Sequence, residues 1–122
     1  MIVSEIVYDM VLLFCIEDYF NADIEAEIAI IVPDVLEGYK GSVNKIEITP
    51  DYLYMNFSSS PEHAPMEIAR ALMSFVSSRL INLHDELKGY ETIFRHDFCV
   101  KSGEGMKTDE IMDFVVIAKS RL

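Results

Sequence analysis

Hydrophobic and polar positions change period along this chain, and each change marks an element. From Ile2 to Ile16, isoleucine, valine, leucine and phenylalanine run densely with polar breaks at Ser4, Glu5 and Asp9, a pattern that suits a buried strand. Asp18 to Leu36 sets Ile24, Ile28 and Ile31 at helical spacing among acids, predicting an amphipathic helix with Pro33 near its end. "EGYKGS" reads as a turn. Val43 to Ser58 is strand-like but interrupted at Pro50, because proline cannot donate to a sheet ladder, so the segment folds back as a hairpin. "SSSPEHAP" is a loop. The clearest helix runs from Pro65 to Leu87, with Ile68, Leu72, Phe75, Val76, Leu80, Leu83 and Leu87 in one apolar stripe. After Lys88 and Gly89, Glu91 to Lys101 predicts a strand, and Ser102 to Gly105 a flexible hinge. Thr108 offers an N-cap, Asp109 and Glu110 suit the first turn, and Lys119 and Arg121 the last turn of a helix reaching Leu122.

The order β-α-β-β-α-β-α predicts an α+β fold of the ferredoxin-like kind, with helices packed on one face of an antiparallel sheet. A chain of 122 residues with 51% hydrophobic content can close one core without staples, so residues 1–122 are expected to form one domain. No repeat, low-complexity tract or linker divides it. Within "ITPDYLYMNF", Tyr52 and Tyr54 alternate with Leu53 and Met55, so an extended strand puts both phenols on one face.

Charge narrows the partners. The net charge is −11, and residues 1–40 alone carry nine acids against Lys40, so phosphate backbones are repelled unless a local basic patch survives. Cys15 and Cys99 lie in apolar runs without a CxxC partner, as expected of reduced, buried thiols in a cytoplasmic protein. No basic, apolar and small-residue leader pattern opens the sequence, and Met10 to Ile16 is too short to span a bilayer, so no membrane partner is expected. His96-Asp97 and His84-Asp85-Glu86 could seed a metal site, but solvated charge is the ordinary reading of such pairs, and His63 lies in a loop. No nucleophile elbow or glycine-rich phosphate loop is present.

Three stretches together carry a resemblance. "PDYLYMNF", a long helix containing "VSSRL", and "IFRHDFCVKSGEGMKTDEIMDFV" resemble, in order and separation, the small single-tyrosine HUH transposases of bacterial and archaeal insertion sequences, the IS200-like group, in degenerate form. That family shows a Pro-Asp-His-hydrophobic-His strand, a Leu-Lys-Gly-x-Ser-Ser-Arg helix, a Trp-Ser-x-x-Tyr-Phe-Val strand and a last helix with a nucleophilic Tyr-Ile-x-x-Gln. The likeness runs from about Tyr8 to the C-terminus and is faint before Ile46. Pro50 and Asp51 stand as in the family, whereas its metal-binding histidines fall on Tyr52 and Tyr54. Val76, Ser77, Ser78 and Arg79 match, while the lysine and glycine fall on Ser74 and Phe75. The tryptophan falls on Phe94, the Tyr-Phe-Val on Phe98, Cys99 and Val100, the nucleophile on Phe114, and the metal-site glutamine on Ala118.

The resemblance implies a reaction in which a phenolate attacks a single-stranded DNA phosphodiester while a divalent ion polarises it. With Tyr52, Tyr54 and Ala118 at the ligand positions and Phe114 at the nucleophile position, it implies no catalytic residue, metal or cofactor here. The family's first strand and its basic exit align with Tyr8, Asp9, Val11, Cys15 and Glu17, so basic residues have become neutral or acidic. Arg79, Lys88, Arg95, Lys101 and Lys107 remain as candidate phosphate contacts, with ordinary solvated charge the alternative. The resemblance also implies a homodimer whose sheets join and whose last helix can pack on the neighbouring subunit, a crossing that the hinge Ser102 to Gly105 would allow. Three readings stay open: an inactive relative kept as a dimeric binding or scaffold protein, a non-cleaving binder of nucleic-acid hairpins, and an enzyme using another site around His96, Asp97 and His63.

Overall fold

The computed structural model describes residues 6–103 and 105–120. Seven main elements follow in the expected order: β1 (Ile6–Phe14), α1 (Ala22–Gly38), β2 (Ser42–Ile48), β3 (Tyr52–Ser59), α2 (Pro65–Leu83), β4 (Phe94–Ser102) and α3 (Thr108–Lys119). The strands form one antiparallel sheet in the order β2-β3-β1-β4, the ferredoxin-like arrangement. Residues Ile2 to Glu5 of the first predicted strand, and Glu104, Arg121 and Leu122 of the hinge and last helix, lie outside the described residues. Among the described residues no helix is long and apolar enough to cross a membrane.

Strand alternation divides the core. Met10, Leu12 and Phe14 of β1 and Leu53, Met55 and Phe57 of β3 point to one side, where they meet Ile24, Ile28, Val32 and Leu36 of α1 and Ile68, Leu72, Val76 and Leu80 of α2. Val11 and Leu13 of β1 and Tyr52 and Tyr54 of β3 point to the other, where Ile111, Val115 and Ala118 of α3 cover them. The α+β architecture is thus the expected one and α1 and α2 share a face, but α3 occupies the opposite face. Every residue of β3 is buried, as a strand sandwiched between two layers requires.

Several boundaries differ from the sequence pattern for local reasons. Helix α1 starts at Ala22 rather than Asp18, because the Asn21 side chain accepts the Ile24 N–H at 3.0 Å and caps it there. Pro33 lies inside α1, which continues to Gly38. Pro33 is exposed, as is Ala29, whose carbonyl loses its helical partner, so water can solvate that carbonyl. Helix α2 stops at Leu83, with His84 extended, and the chain reaches the buried Leu87 through a 3₁₀ turn, Asp85–Leu87, so helical spacing of Leu83 and Leu87 did not mean one helix. Strand β4 starts at Phe94 rather than Glu91. Thr108 is the first helical residue of α3, and the Glu110 carboxylate accepts the backbone N–H of Lys107 just before it.

Candidate functional site

On the α3 side of the sheet the tyrosine pair meets a buried acid. Asp9 stands on β1 opposite Asn56 of β3 and is fully buried. Its Oδ1 accepts three hydrogen bonds: from the Tyr54 hydroxyl at 2.7 Å, Asn56 Nδ2 at 3.1 Å and the Met106 backbone N–H at 3.1 Å. The Met106 N–H is shared with the Tyr54 oxygen at 3.2 Å, which fixes the chain between β4 and α3 over the sheet. A bulge in β2 leaves Asn44 unpaired in the register, and its Nδ2 donates to Asn56 Oδ1 at 3.1 Å and Ser58 Oγ at 3.0 Å, extending the network. The second Asp9 oxygen, Oδ2, is buried without a hydrogen-bond partner.

Tyr52 is tied in the same manner: its hydroxyl donates to Glu47 Oε1 at 2.6 Å. Burial, and then the hydrogen bond to a carboxylate, pushes both phenols up to about 12, from Glu47 for Tyr52 and from Asp9 for Tyr54. Both are therefore protonated at neutral pH. Above them lie Ile111, Val115 and Ala118 of α3, with Phe114 half-buried against the same cluster. The structure thus brings Tyr52, Tyr54, Phe114 and Ala118 together although 52 and 118 stand far apart in the chain. Lys119, one residue beyond Ala118, donates to Asp51 Oδ1 at 2.6 Å and lies 3.9 Å from Glu17, pinning the end of α3 to the β2–β3 turn.

The surviving basic residues do not gather on one face. Arg95 lines a groove of about 710 Å³ between α2 and the start of β4, together with Arg70, His96 and Ser78. Its guanidinium is engaged by Glu17 at 3.3 Å and the Phe14 carbonyl at 3.2 Å. Arg79 lines a different groove, between α1 and α2. Lys101 pairs with Glu110 at 2.7 Å, Lys107 precedes α3 beside the same acid, and Lys88 follows the 3₁₀ turn.

The other candidates also separate. His63 packs edge-on against Tyr39, with ring centroids 5.0 Å apart, and lies 3.6 Å from Glu67, away from the residues that line the groove of His96. His84 Nε2 lies 2.7 Å from Glu27 Oε2, a contact that joins α2 to α1 and raises the imidazole pKa. Among the described residues no three His, Cys, Asp or Glu side chains gather as metal ligands. The cysteines are half-buried rather than buried, and burial raises both thiols, so neither is an activated nucleophile.

Sequence reasoning missed the roles of Asp9, Glu47, Asn56 and Ser77. Ser77 Oγ is buried and accepts the Ile93 N–H at 3.0 Å, so one residue of the "VSSRL" motif braces the approach to β4. A single acid inside the apolar run of β1 was the available signal for Asp9.

The family model described as "Transposase IS200 like" matches residues 2–116. A solved structure of a Deinococcus radiodurans R1 protein, provisionally assigned as a transposase, superposes with a TM-score of 0.83 at 15% identity, covering 95% of this chain and 92% of that one. A REP-associated tyrosine transposase bound to a REP hairpin superposes with a TM-score of 0.56 at 8% identity, covering 95% and 67%. No curated protein sequence matches. With the family pattern spanning nearly all of its length and the transposase fold formed around the Tyr52 and Tyr54 face, the chain belongs to the IS200-like transposase family.

Proposed function

We propose that this chain is a catalytically inactive member of its family, one domain over residues 1–122, kept as a dimeric binding or scaffold protein. The observation that carries the reading is how the tyrosine face is filled. Tyr52 and Tyr54 stand at the positions that resemble the family's histidines, packed under α3, and the hydroxyl of each donates a hydrogen bond to a carboxylate, Glu47 or Asp9. A protonated phenol is a poor metal ligand, Ala118 offers no donor atom, and Phe114 has no oxygen with which to attack a phosphodiester. The residues present do not fit a divalent ion.

Titration with manganese or magnesium is expected to leave the melting temperature unchanged, because an ion stabilises the folded state only by binding it, by an amount that grows as the logarithm of one plus its concentration over its Kd. A stabilisation that vanishes in Tyr52→Phe or Tyr54→Phe would overturn the reading of this face.

Dimerisation rests on α3. Its inner residues are buried against the sheet, yet Met112, Val116 and Ile117 are 40%, 62% and 53% exposed, an apolar surface that a second subunit can cover. Light scattering at micromolar concentration is expected to give twice the 13.9 kDa chain mass, and a monomer mass refutes the dimer.

A second reading, binding of nucleic-acid hairpins without cleavage, is favoured by one feature, the groove that holds Arg70, Arg95 and His96. Against it stand the Glu17 carboxylate on Arg95 and a net charge of −11 per chain.

A further inference from the structure

We infer that the groove between α1 and α2 is a docking site for a cationic amphipathic helix of a protein partner. The groove has a volume of about 590 Å³ and opens on the side of the helical layer away from the sheet. Ile31 and Val35 form its floor, already packed on the core, while Ile30 and Phe75 stand at its lips, 67% and 60% exposed. Two large apolar side chains so exposed across one recess are unusual for a solvated helix pair and are the anchors a partner would bury. Leu83, 59% exposed, lies two turns beyond Phe75 on α2, at positions four and eight along the same ridge as Arg79, and lengthens the stripe. At the far end Gly38 lines the groove without a side chain, and a Cβ there would meet nothing within 4 Å, so that end is open. The groove runs along α1 from Ile30 to its C-terminal end, about 14 Å at 1.5 Å per residue, and accepts two to three turns of a third helix.

Charge decides which occupant fits. Helix α1 contains five acids, Asp23, Glu25, Glu27, Asp34 and Glu37, and no lysine or arginine. Four of them, Asp23, Glu27, Asp34 and Glu37, are spaced with Ile30 at intervals of three and four, so one ridge of α1 is an acidic rail with an isoleucine in it, of which Asp34 lines the groove itself and Glu27 is already engaged by His84. A second copy would bring two such rails together, and a phosphate backbone would meet the same repulsion. A partner helix with an apolar stripe and flanking lysines or arginines meets complementary charge on α1, with Arg79 left to receive a carboxylate or a helix C-terminus on the other wall. The inference deepens the reading of a binding protein, but it uses the helical layer and not the tyrosine face. Its failure would leave the inactive-site reading untouched, and the metal and DNA experiments do not bear on it.

The test uses the full chain and two synthetic peptides of about 18 residues, one of leucine and lysine with leucines at helical spacing, the other identical except that every lysine is glutamate. Fluorescence anisotropy at physiological ionic strength is expected to show saturable binding of the lysine peptide at one per chain. Phe75→Ser and Ile30→Ser, exposed sites whose exchange leaves net charge and fold unchanged, are each expected to weaken it by about tenfold or more, as is Asp34→Lys. Retained folding is checked by unchanged melting temperature. The proposal is overturned if neither peptide binds or if the glutamate peptide binds equally well. It is also overturned if the serine variants bind as tightly as the parent, which would mean unspecific attraction to an acidic protein, or if Phe75→Ser splits a dimer, which would mean that a second copy fills the groove.

Discussion

No nicked strand and no covalent protein–DNA adduct are expected when the purified protein is incubated with a labelled single-stranded DNA hairpin and magnesium at neutral pH. The attacking group of this chemistry is a phenolate, and Phe114 at the position resembling the nucleophile supplies none. Tyr52 and Tyr54 cannot substitute. They are 4% and 1% exposed, and with phenol pKa values pushed up to about 12 only about one molecule in 10⁵ carries the phenolate at pH 7. Phe114→Tyr alone is expected to restore nothing, because the ligand positions would still be Tyr52, Tyr54 and Ala118. Binding is expected to be weak and to respond little when salt is lowered, since a chain bearing −11 repels phosphate most where screening is least. The hairpin is therefore titrated at two salt concentrations, with and without magnesium. Covalent product would overturn the inactive reading, and tight, salt-sensitive binding without cleavage would promote the nucleic-acid reading over the scaffold.

Asp9→Ala is expected to destabilise the protein by roughly 2–4 kcal/mol, several times the effect of Tyr54→Phe, at about 1 kcal/mol. The reason is the number of donors that converge on one oxygen. Truncating Asp9 leaves the Tyr54 hydroxyl and the Asn56 amide without that acceptor in a buried site, and the Met106 N–H with only its longer bond to the Tyr54 oxygen, and unpaired buried donors carry most of their desolvation penalty. Tyr54→Phe removes one of the three bonds to that oxygen and the shared bond from Met106, whose N–H keeps Asp9, and it keeps the ring. Against a total stability of about 5–15 kcal/mol for a domain of this kind, the larger figure would be plain in a urea titration as a lower midpoint. Hydrogen exchange at the Met106 amide should quicken in parallel, because that amide holds the β4–α3 connection. Equal losses in the two variants would show that Asp9 does not organise the network.

Much of this architecture was legible because period is a local property. The stripe from Ile68 to Leu80 and the alternation through Tyr52 to Met55 declare helix and strand from neighbours alone. The side taken by α3 was not legible in the same way, since β3 is covered on both faces and apolar residues on both faces do not say which layer arrives from where. Leu83 misled because helical spacing continued after the backbone had turned, and Pro33 because an exposed carbonyl can lose its partner without ending a helix. The family positions at Tyr52, Tyr54, Phe114 and Ala118 could be aligned from motif order. The acid beneath them could not be assigned a role, because its donors come from residues 45 to 97 places away along the chain.

The tight filling of the tyrosine face also sets a direction on sequence change. Reverting Tyr52 or Tyr54 to imidazole would remove ring volume from a closed site under Ile111 and Val115, and would strand Glu47 or Asp9 without its phenol donor. Each single step back would therefore lower stability before any ligand set existed to compensate, and the attacking oxygen at position 114 would still be missing. On our reading of the site, packing then acts as a ratchet: a lineage that has reached this arrangement finds drift within it cheap and a return to chemistry blocked by a series of less stable intermediates.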